Sequence, residues 1–491
     1  MTSDGPPPGK RCFVSFSITD FHVCKQQVLT WASRVDIFCF LDNQGYDTGI
    51  PSRFECLLAA GAHDSLEASA AGDPNPAAPN SPTDALSRLK EWAASRQEWL
   101  FGHFAYDLAE ETEPTHPANS TTPSGQNLPV PPPAGAGPIG FPTLFFFVPE
   151  WLIELSAASI RIGSFKDDQE AIWQQIGSTP IPGPPDPATA IIPPFKPRFT
   201  REEYLDRVVD LQRHIRRGDC YEINFCQEFF SQPAHPDPLS TWWALSKASP
   251  TPFSAFYRLN RRYLFCASPE RYLKKMGNSL FSQPIKGTLA RPRTLPDPSH
   301  PCADHPASQH LADMLPADQA AARELFHSAK DRSENVMIVD LVRNDLSKVC
   351  LPGSVRVDEL YGIYPFPQVF QMISTIIGTL LPGIDWTDSI RATFPMGSMT
   401  GAPKNRVIRL IKQYERSPRG IFSGSVGYVT PDGDFDFNVV IRSLLYNQET
   451  HYLSYQVGSG ITFYSDPQAE YEECLVKAAG IIKALGISET S

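Results

Sequence analysis

No apolar run in this 491-residue chain approaches the length of a bilayer span. The longest, such as Leu144 to Val148, fall far short of the roughly 20 residues that a membrane helix needs, so no membrane partner is expected. The opening stretch MTSDGPPPGK holds no apolar core of the kind a secretion signal requires. Ten cysteines are scattered without a Cys-x-x-Cys pair. That spacing argues against a structural zinc site or a disulfide frame and makes a reducing, cytoplasmic location the expectation. Positive charge is in deficit: Lys+Arg 43 against Asp+Glu 54 gives a net charge of −11. With no long basic run, nucleic acid is not the expected partner. An anionic substrate would have to be met by a few Arg and Lys focused locally. Hydrophobic residues at 41% and charged residues at 20% describe a folded chain rather than a disordered one.

Proline is the residue in excess, 48 of 491, and it is concentrated. Nine lie between Pro114 and Pro142, eight between Pro180 and Pro197, and six, with His300, His305 and His310, between Pro292 and Pro316. Proline removes a donor and fixes φ, so these stretches read as surface loops. The three histidines could ligate a metal but fit a solvated loop better. Between the loops, FPTLFFFVPEWLIEL (141–155) predicts two buried strands with a turn at Val148-Pro149-Glu150. Thr200 and Glu203 stand at N-cap and capping-box positions of a helix whose Tyr204, Val208 and Leu211 recur at helical spacing. Strands are predicted at Ile223–Phe230, Phe253–Leu259 and Tyr263–Ala267, and one long helix from about Ala317 towards Val342. Asp466-Pro467 starts a last helix, with Tyr471, Leu475, Ala478 and Ile482 along one face. Strands and helices in runs, without regular alternation, indicate an α+β fold.

Four clusters carry candidate chemistry. Ser268-Pro269-Glu270-Arg271 follows a strand, and Pro284-Ile285-Lys286-Gly287-Thr288 lies on a turn sixteen residues later. A lysine before Gly is commonly a solvated turn residue, but beside an apolar strand end it can lose its proton and act as a nucleophile. A glutamate in the same pocket could protonate a leaving group. Asp331 and Glu334, and Glu470 and Glu473, each sit three apart on predicted helices and so share a face. Exposed acidic faces are the plain explanation; if the two converge, they make an oxygen site for Mg²⁺. The Gly-rich turns are 397–404, 423–428 and 458–460. The first lacks the spacing of a phosphate loop, yet bare N–H groups in such turns suit a carboxylate-bearing ligand. Arg442, in the strand-like 439–443, is a candidate for bidentate carboxylate recognition.

Taken in order, GDCYEINFCQ (218–227), SPERYL (268–273), PIKGT (284–288), ENVMIVDLVRNDLSKVC (334–350), GSMTGAPK (397–404), SGSVGY (423–428), VIRSL (440–444), VGSG (457–460) and AEYEECLVKA (469–478) resemble the chorismate-utilising enzymes. The resemblance covers nearly all of 199–486. It is weaker before that, resting on WLFGHFAYDL (99–108) and FPTLFFFVPE. It implies an anthranilate synthase component I-like fold, two β-sheets packed as a sandwich flanked by helices. Residues 1–155 would form an N-terminal region on the same core, 156–198 a Pro-rich connecting segment, and 199–486 the chorismate-binding catalytic region.

Within the family, anthranilate synthases look like PIAGT where this chain has PIKGT, and Lys286 resembles the nucleophile of the aminodeoxychorismate synthases. Members that add water carry a Lys base in the segment matching GDCYEINFCQ. Here Glu222 stands at that position, in place of the family's more usual Gln, and its role is open. The resemblance implies amination of chorismate at C4. Lys286 would attack C2 and Glu270 would protonate the departing hydroxyl. Glu334 and Glu473 would hold Mg²⁺ with Asp331 and Glu470 behind them. Arg442, Tyr428, Gly458 and Gly460 would bind the enolpyruvyl carboxylate. Thr400 and Gly401 would line the ring pocket, and Lys477 would add positive potential. None of the cysteines sits in a Gly-x-Cys-x-Gly elbow, so ammonia is expected from a separate glutamine amidotransferase subunit, as a heterodimer. No lyase segment is expected after Leu485. Anthranilate synthase component I or another chorismate-aminating enzyme is the alternative, and a non-catalytic binder of chorismate-like ligands a third reading. Ser249 to Phe253 resembles one wall of the family's tryptophan pocket, and Phe40-Leu41-Asp42-Asn43 stands roughly where the other would be; feedback inhibition is not expected.

Overall fold

The computed structural model describes residues 10–46, 50, 54–68, 84–113, 137–181, 191–291, 316–366 and 369–487. The His300, His305 and His310 loop lies outside the described residues, as does most of the first proline-rich stretch. The described strands pair antiparallel throughout in one continuous network, whose two arms, a first and a second sheet, share the long strand Leu144–Leu155. The first sheet runs from Cys12–Ser17 through Ser159–Ser164, Leu144–Leu155, Cys56–Ala68, Ile37–Asp42, Phe253–Leu259, Arg262–Ser268, Ser443–Asn447 and Tyr452–Ile461 to Glu222–Ser231. The second leaves the first half of Leu144–Leu155 through Leu100–Phe104, Ser425–Val429, Phe435–Asn438, Arg271–Met276 and Ser279–Gln283 to Val369–Thr379. The last strand also pairs with Ile285–Ala290 and Arg356–Pro365.

The first sheet is a central layer, and its strands show why. Along Ile37–Asp42, Phe38 and Phe40 join the helix-side core while Cys39 joins the core between the sheets. Tyr263, Phe265 and Ala267 alternate with Leu264 and Cys266 in the same way. A strand with both faces covered must be apolar at every position, not at every second one. The helix Arg201–Arg216 has the expected capping box between Thr200 and Glu203, a device whose N-cap side chain is typically worth about 1 kcal/mol. It buries Tyr204, Val208, Leu211 and Ile215.

Four expectations change. Residues 144–155 form one strand, not two. Pro149 is tolerated because it pairs with Ala62 where the partner's register shifts before Asp64, and an irregular pair does not need the missing N–H. The stretch 156–198, expected only to connect, supplies the Ser159–Ser164 strand and the Gln169–Gly177 helix. The predicted long helix is two, Pro316–His327 and Ala329–Ser347. Ser328 divides them, its hydroxyl accepting from Asp331 N as an N-cap. In the last helix, Pro467–Ala484, the buried stripe is Glu470, Cys474, Ala478 and Ile481, and Leu475 is 43% exposed. Tyr471 and Ile482 still pack against the core, and Glu470 in the buried stripe is paired with Lys330, whose Nζ lies 3.0 Å from its Oε1.

Two short crossings join the sheets, Ser268 to Arg271 and Asn438 to Ser443. The crossings touch: Val439 N donates to Glu270 O at 3.0 Å. No helix among the described residues is long and apolar enough to cross a membrane.

Candidate active site

A cavity of about 160 Å³ opens where the two crossings meet the acidic helices. The crossings contribute Glu270 and Arg442; the Ile285–Ala290 strand contributes Lys286, and Tyr452–Ile461 contributes Gly458 and Gly460. Asp331 and Glu334 come from Ala329–Ser347, and Glu473 and Lys477 from Pro467–Ala484. Three acids of the two pairs, Asp331, Glu334 and Glu473, far apart in sequence, thus line one space.

Glu270 is buried, and burial pushes its pKa up to about 7. The Ser398 hydroxyl, which donates to its Oε1 at 2.5 Å, and the charge of Lys286 pull the other way without cancelling the effect. Lys286 behaves differently from the simple expectation that burial neutralises it. Burial does lower its pKa, but the Glu222 carboxylate it pairs with, and then Glu334, outweigh that, and the amine is held above its ordinary value. Glu334 is raised to about 7, chiefly by burial, with Lys286 opposing. Glu473 goes down to about 2: burial opposes this, but Lys477, 2.7 Å from its Oε1, prevails. Lys477 also donates to Gly458 O at 2.9 Å. Arg442 has left-handed φ of 52° and stands between strands, not in one. Burial pulls its guanidinium to about 10 despite Glu473, a cost that an anionic ligand would relieve.

At the acidic end, Lys330 Nζ lies 3.0 Å from Glu470 Oε1 and 3.9 Å from Glu334 Oε1. Glu334 Oε1 and Glu470 Oε2 are buried without a hydrogen-bond partner. Asp331 accepts from the Ser328 hydroxyl. No group of three or more His, Cys, Asp or Glu among the described residues is gathered as a metal centre.

Four expected residues sit elsewhere. Tyr428 lines a second cavity of about 70 Å³, with Leu41, Asp42, Asn43, Pro252 and Phe253; the two segments compared above with a tryptophan pocket therefore do meet, and Tyr428 belongs with them. Thr400 and Gly401 are wholly or nearly buried behind the first cavity. The Thr400 hydroxyl bonds to Met396 O at 3.1 Å, and Gly401 pairs with Ile223 so closely that a Cβ would come within 2.1 Å of Glu222 O. The same turn presents Ser398 and Met399 to the cavity instead. Glu470 is a buried partner of Lys330 rather than a wall residue. The sequence reading missed Phe422, Gln371, Asn224 and Lys330, all in the wall. Phe422 lies just before the Gly-rich turn that was noticed. Gln371 lies in the largely apolar strand VFQMISTIIGT, and its Oε1 is buried without a partner.

Comparison with known proteins identifies the family. The family model described as chorismate binding enzyme matches residues 38–483. Over 350 residues the chain is 33% identical to aminodeoxychorismate synthase component 1 of Klebsiella aerogenes, covering 71% of this chain and 72% of that protein. Over 291 residues it is 37% identical to aminodeoxychorismate synthase component 1 of Escherichia coli (strain K12), covering 59% of each, so it spans less than two thirds of that relative. Among solved structures, anthranilate synthase component I from Streptococcus pneumoniae TIGR4 superposes with a TM-score of 0.65 at 23% identity, over 89% of this chain and 93% of that one. That likeness bears out the expected α+β fold. The chain belongs to the chorismate binding enzyme family.

Proposed function

We propose that the chain aminates chorismate with ammonia to give 4-amino-4-deoxychorismate, the activity that its relatives' name, aminodeoxychorismate synthase component 1, describes. The observation that carries the reading is an amine, Lys286, and a carboxyl with a pKa near 7, Glu270, in the wall of one cavity. A carboxyl of that pKa is half protonated at neutral pH and can give its proton to a leaving hydroxyl. Lys286 forms a bond to C2 as the C4–O bond breaks, and the oxygen leaves as water with the Glu270 proton. Ammonia then bonds to C4 and the C2–N bond breaks. Holding the amine at the wall converts the first step into an effectively unimolecular one. Arg442, with the backbone at Gly458 and Gly460, binds the enolpyruvyl carboxylate, and Lys477 adds positive potential.

The acidic end fits Mg²⁺. That ion takes one or two protein carboxylates together with waters and substrate oxygens, which suits a place with unpartnered buried oxygens on Glu334 and Glu470 and no complete protein cage. Glu334 and Glu473 would hold it, with Asp331 and Glu470 behind. When bound, it neutralises charge on the substrate's ring carboxylate. The name component 1 supports a second component, a glutamine amidotransferase subunit, as the ammonia source. The product would serve p-aminobenzoate and folate synthesis in a reducing cytoplasm, where free thiols such as the nine described here persist.

The test is an assay of purified chain with chorismate, Mg²⁺ and ammonium at alkaline pH, products resolved by chromatography. 4-Amino-4-deoxychorismate is expected. Anthranilate as the main product, or full turnover in excess chelator, would overturn the reading.

A further inference from the structure

Glu222 has no part in the reaction above, yet it is 0% exposed and touches the amine at the reaction's centre. Its Oε1 accepts from Lys286 Nζ, and its Oε2 is buried without a hydrogen-bond partner. The two residues come from different sheets, Glu222 from the Glu222–Ser231 strand of the first and Lys286 from the Ile285–Ala290 strand of the second. They meet because Gly460 leaves the space: a Cβ there would stand 2.9 Å from both Glu222 Oε1 and Lys286 Nζ. The backbone of Glu222 is held as well, paired with Ala402 across the tight approach at Gly401.

A lysine head on a four-carbon stem has no fixed place of its own, whereas a carboxylate held by its backbone does. A buried carboxylate is also costly unless paired, and the neighbours of this one include Glu334, another acid. Packing alone would favour a neutral residue here. We propose that Glu222 is the positioning residue for Lys286, holding its ammonium at the cavity wall and accepting the proton that the amine sheds before it attacks.

The inference rests on the reaction proposed above. The ammonium gives a proton to the Glu222 carboxylate, and the freed lone pair forms the C2–N bond as the C4–O bond breaks. When ammonia bonds to C4, the C2–N electrons return to the lysine nitrogen, which takes its proton back from Glu222. Glu270 recovers a proton from the new ammonium group. The sum is chorismate and ammonia going to aminodeoxychorismate and water. Glu334 from Ala329–Ser347, Glu473 from Pro467–Ala484 and Glu270 from the first crossing also act on the amine, so the Glu222 contribution has to be isolated by substitution.

The experiment measures Lys286 itself. Reductive methylation with formaldehyde and cyanoborohydride labels only the neutral amine; its extent at Lys286 is read by peptide mass spectrometry across pH, without chorismate, in the wild-type chain, Glu222→Gln and Glu222→Ala. Losing the opposite charge should move half-labelling to lower pH by about 1–3 units in both variants. Aminodeoxychorismate formation should fall about 10²-fold in Glu222→Ala, as for a misplaced reacting group, and recover in part in Glu222→Gln, which keeps an acceptor for the amine. An unchanged labelling profile in both variants overturns the proposal, as does wild-type turnover in Glu222→Ala. A wild-type chain that makes no amino product, with the labelling shift present, would sink the reaction and leave the Glu222–Lys286 clamp standing.

Discussion

Around the second cavity, Arg271 spans both oxygens of Asp436 at 2.9 and 3.1 Å, and Lys25 pairs with Asp42. Around the first, Lys286, Lys330 and Lys477 face Glu222, Glu334, Glu470 and Glu473, and buried oxygens on three of these four acids have no hydrogen-bond partner. Both cavities are cut from the same pair of sheets. In one, Asp436 and Asp42 are each paired with a cation and serve the fold, although Asp42 Oδ2 is likewise buried without a hydrogen-bond partner. In the other, acids within one space are driven apart, Glu270 and Glu334 up to about 7 and Glu473 down to about 2. Split pKa values among neighbouring carboxyls are what acid–base chemistry and cation binding require.

Substitutions should separate the two cavities. The largest effect is expected at Lys286. Lys286→Ala should lower aminodeoxychorismate formation by about 10³-fold or more, the scale of losing a covalent nucleophile, while Tyr428→Phe in the other cavity leaves it unchanged. Steady-state assays of both variants decide, and a near-normal Lys286→Ala enzyme would reduce the lysine to a charge in the wall. Next is Arg271→Ala, which strands Asp436 with Lys274 alone, 3.3 Å away. It should cost about 3 kcal/mol of stability, read by denaturant unfolding; a loss no larger than that of a surface substitution would break the contrast.

A subtler effect belongs to Glu270. Its carboxyl titrates at 4.5 ordinarily and about 7 in the folded chain. Between these values the folded state holds the extra proton, so stability falls as pH rises. Thermal unfolding from pH 4.5 to 7 should therefore show a flatter profile in Glu270→Gln than in the wild type. The smallest effect is expected from Ser398→Ala. The lost hydroxyl favoured the charged carboxylate, so Glu270 should titrate higher still, and the alkaline limb of the pH–rate profile should move up by a fraction of a unit. A downward move would mean that Ser398 acts on something else.

Much of this site was legible in one dimension because its chemistry is carried by residue type and short spacing. The capping box at Thr200 and Glu203, the two acid pairs at i and i+3, and Lys286 between an apolar strand residue and Gly287 are all local patterns, set by helix geometry or by the next few bonds. The α+β class followed from elements in runs, and the family from ordered motifs. What stayed hidden depended on contacts across hundreds of residues. Nothing near Leu475 announced that it would be exposed while Glu470 is buried and paired with Lys330. Nothing near Tyr428 said that its side of the strand faces the second cavity while Phe422 meets the first. Residue 286 alone suggested an amine neutralised by burial. Only the fold brought Glu222 from the other sheet against it and reversed the sign, because electrostatics depends on distance in space, and the chain leaves that distance to be set by packing.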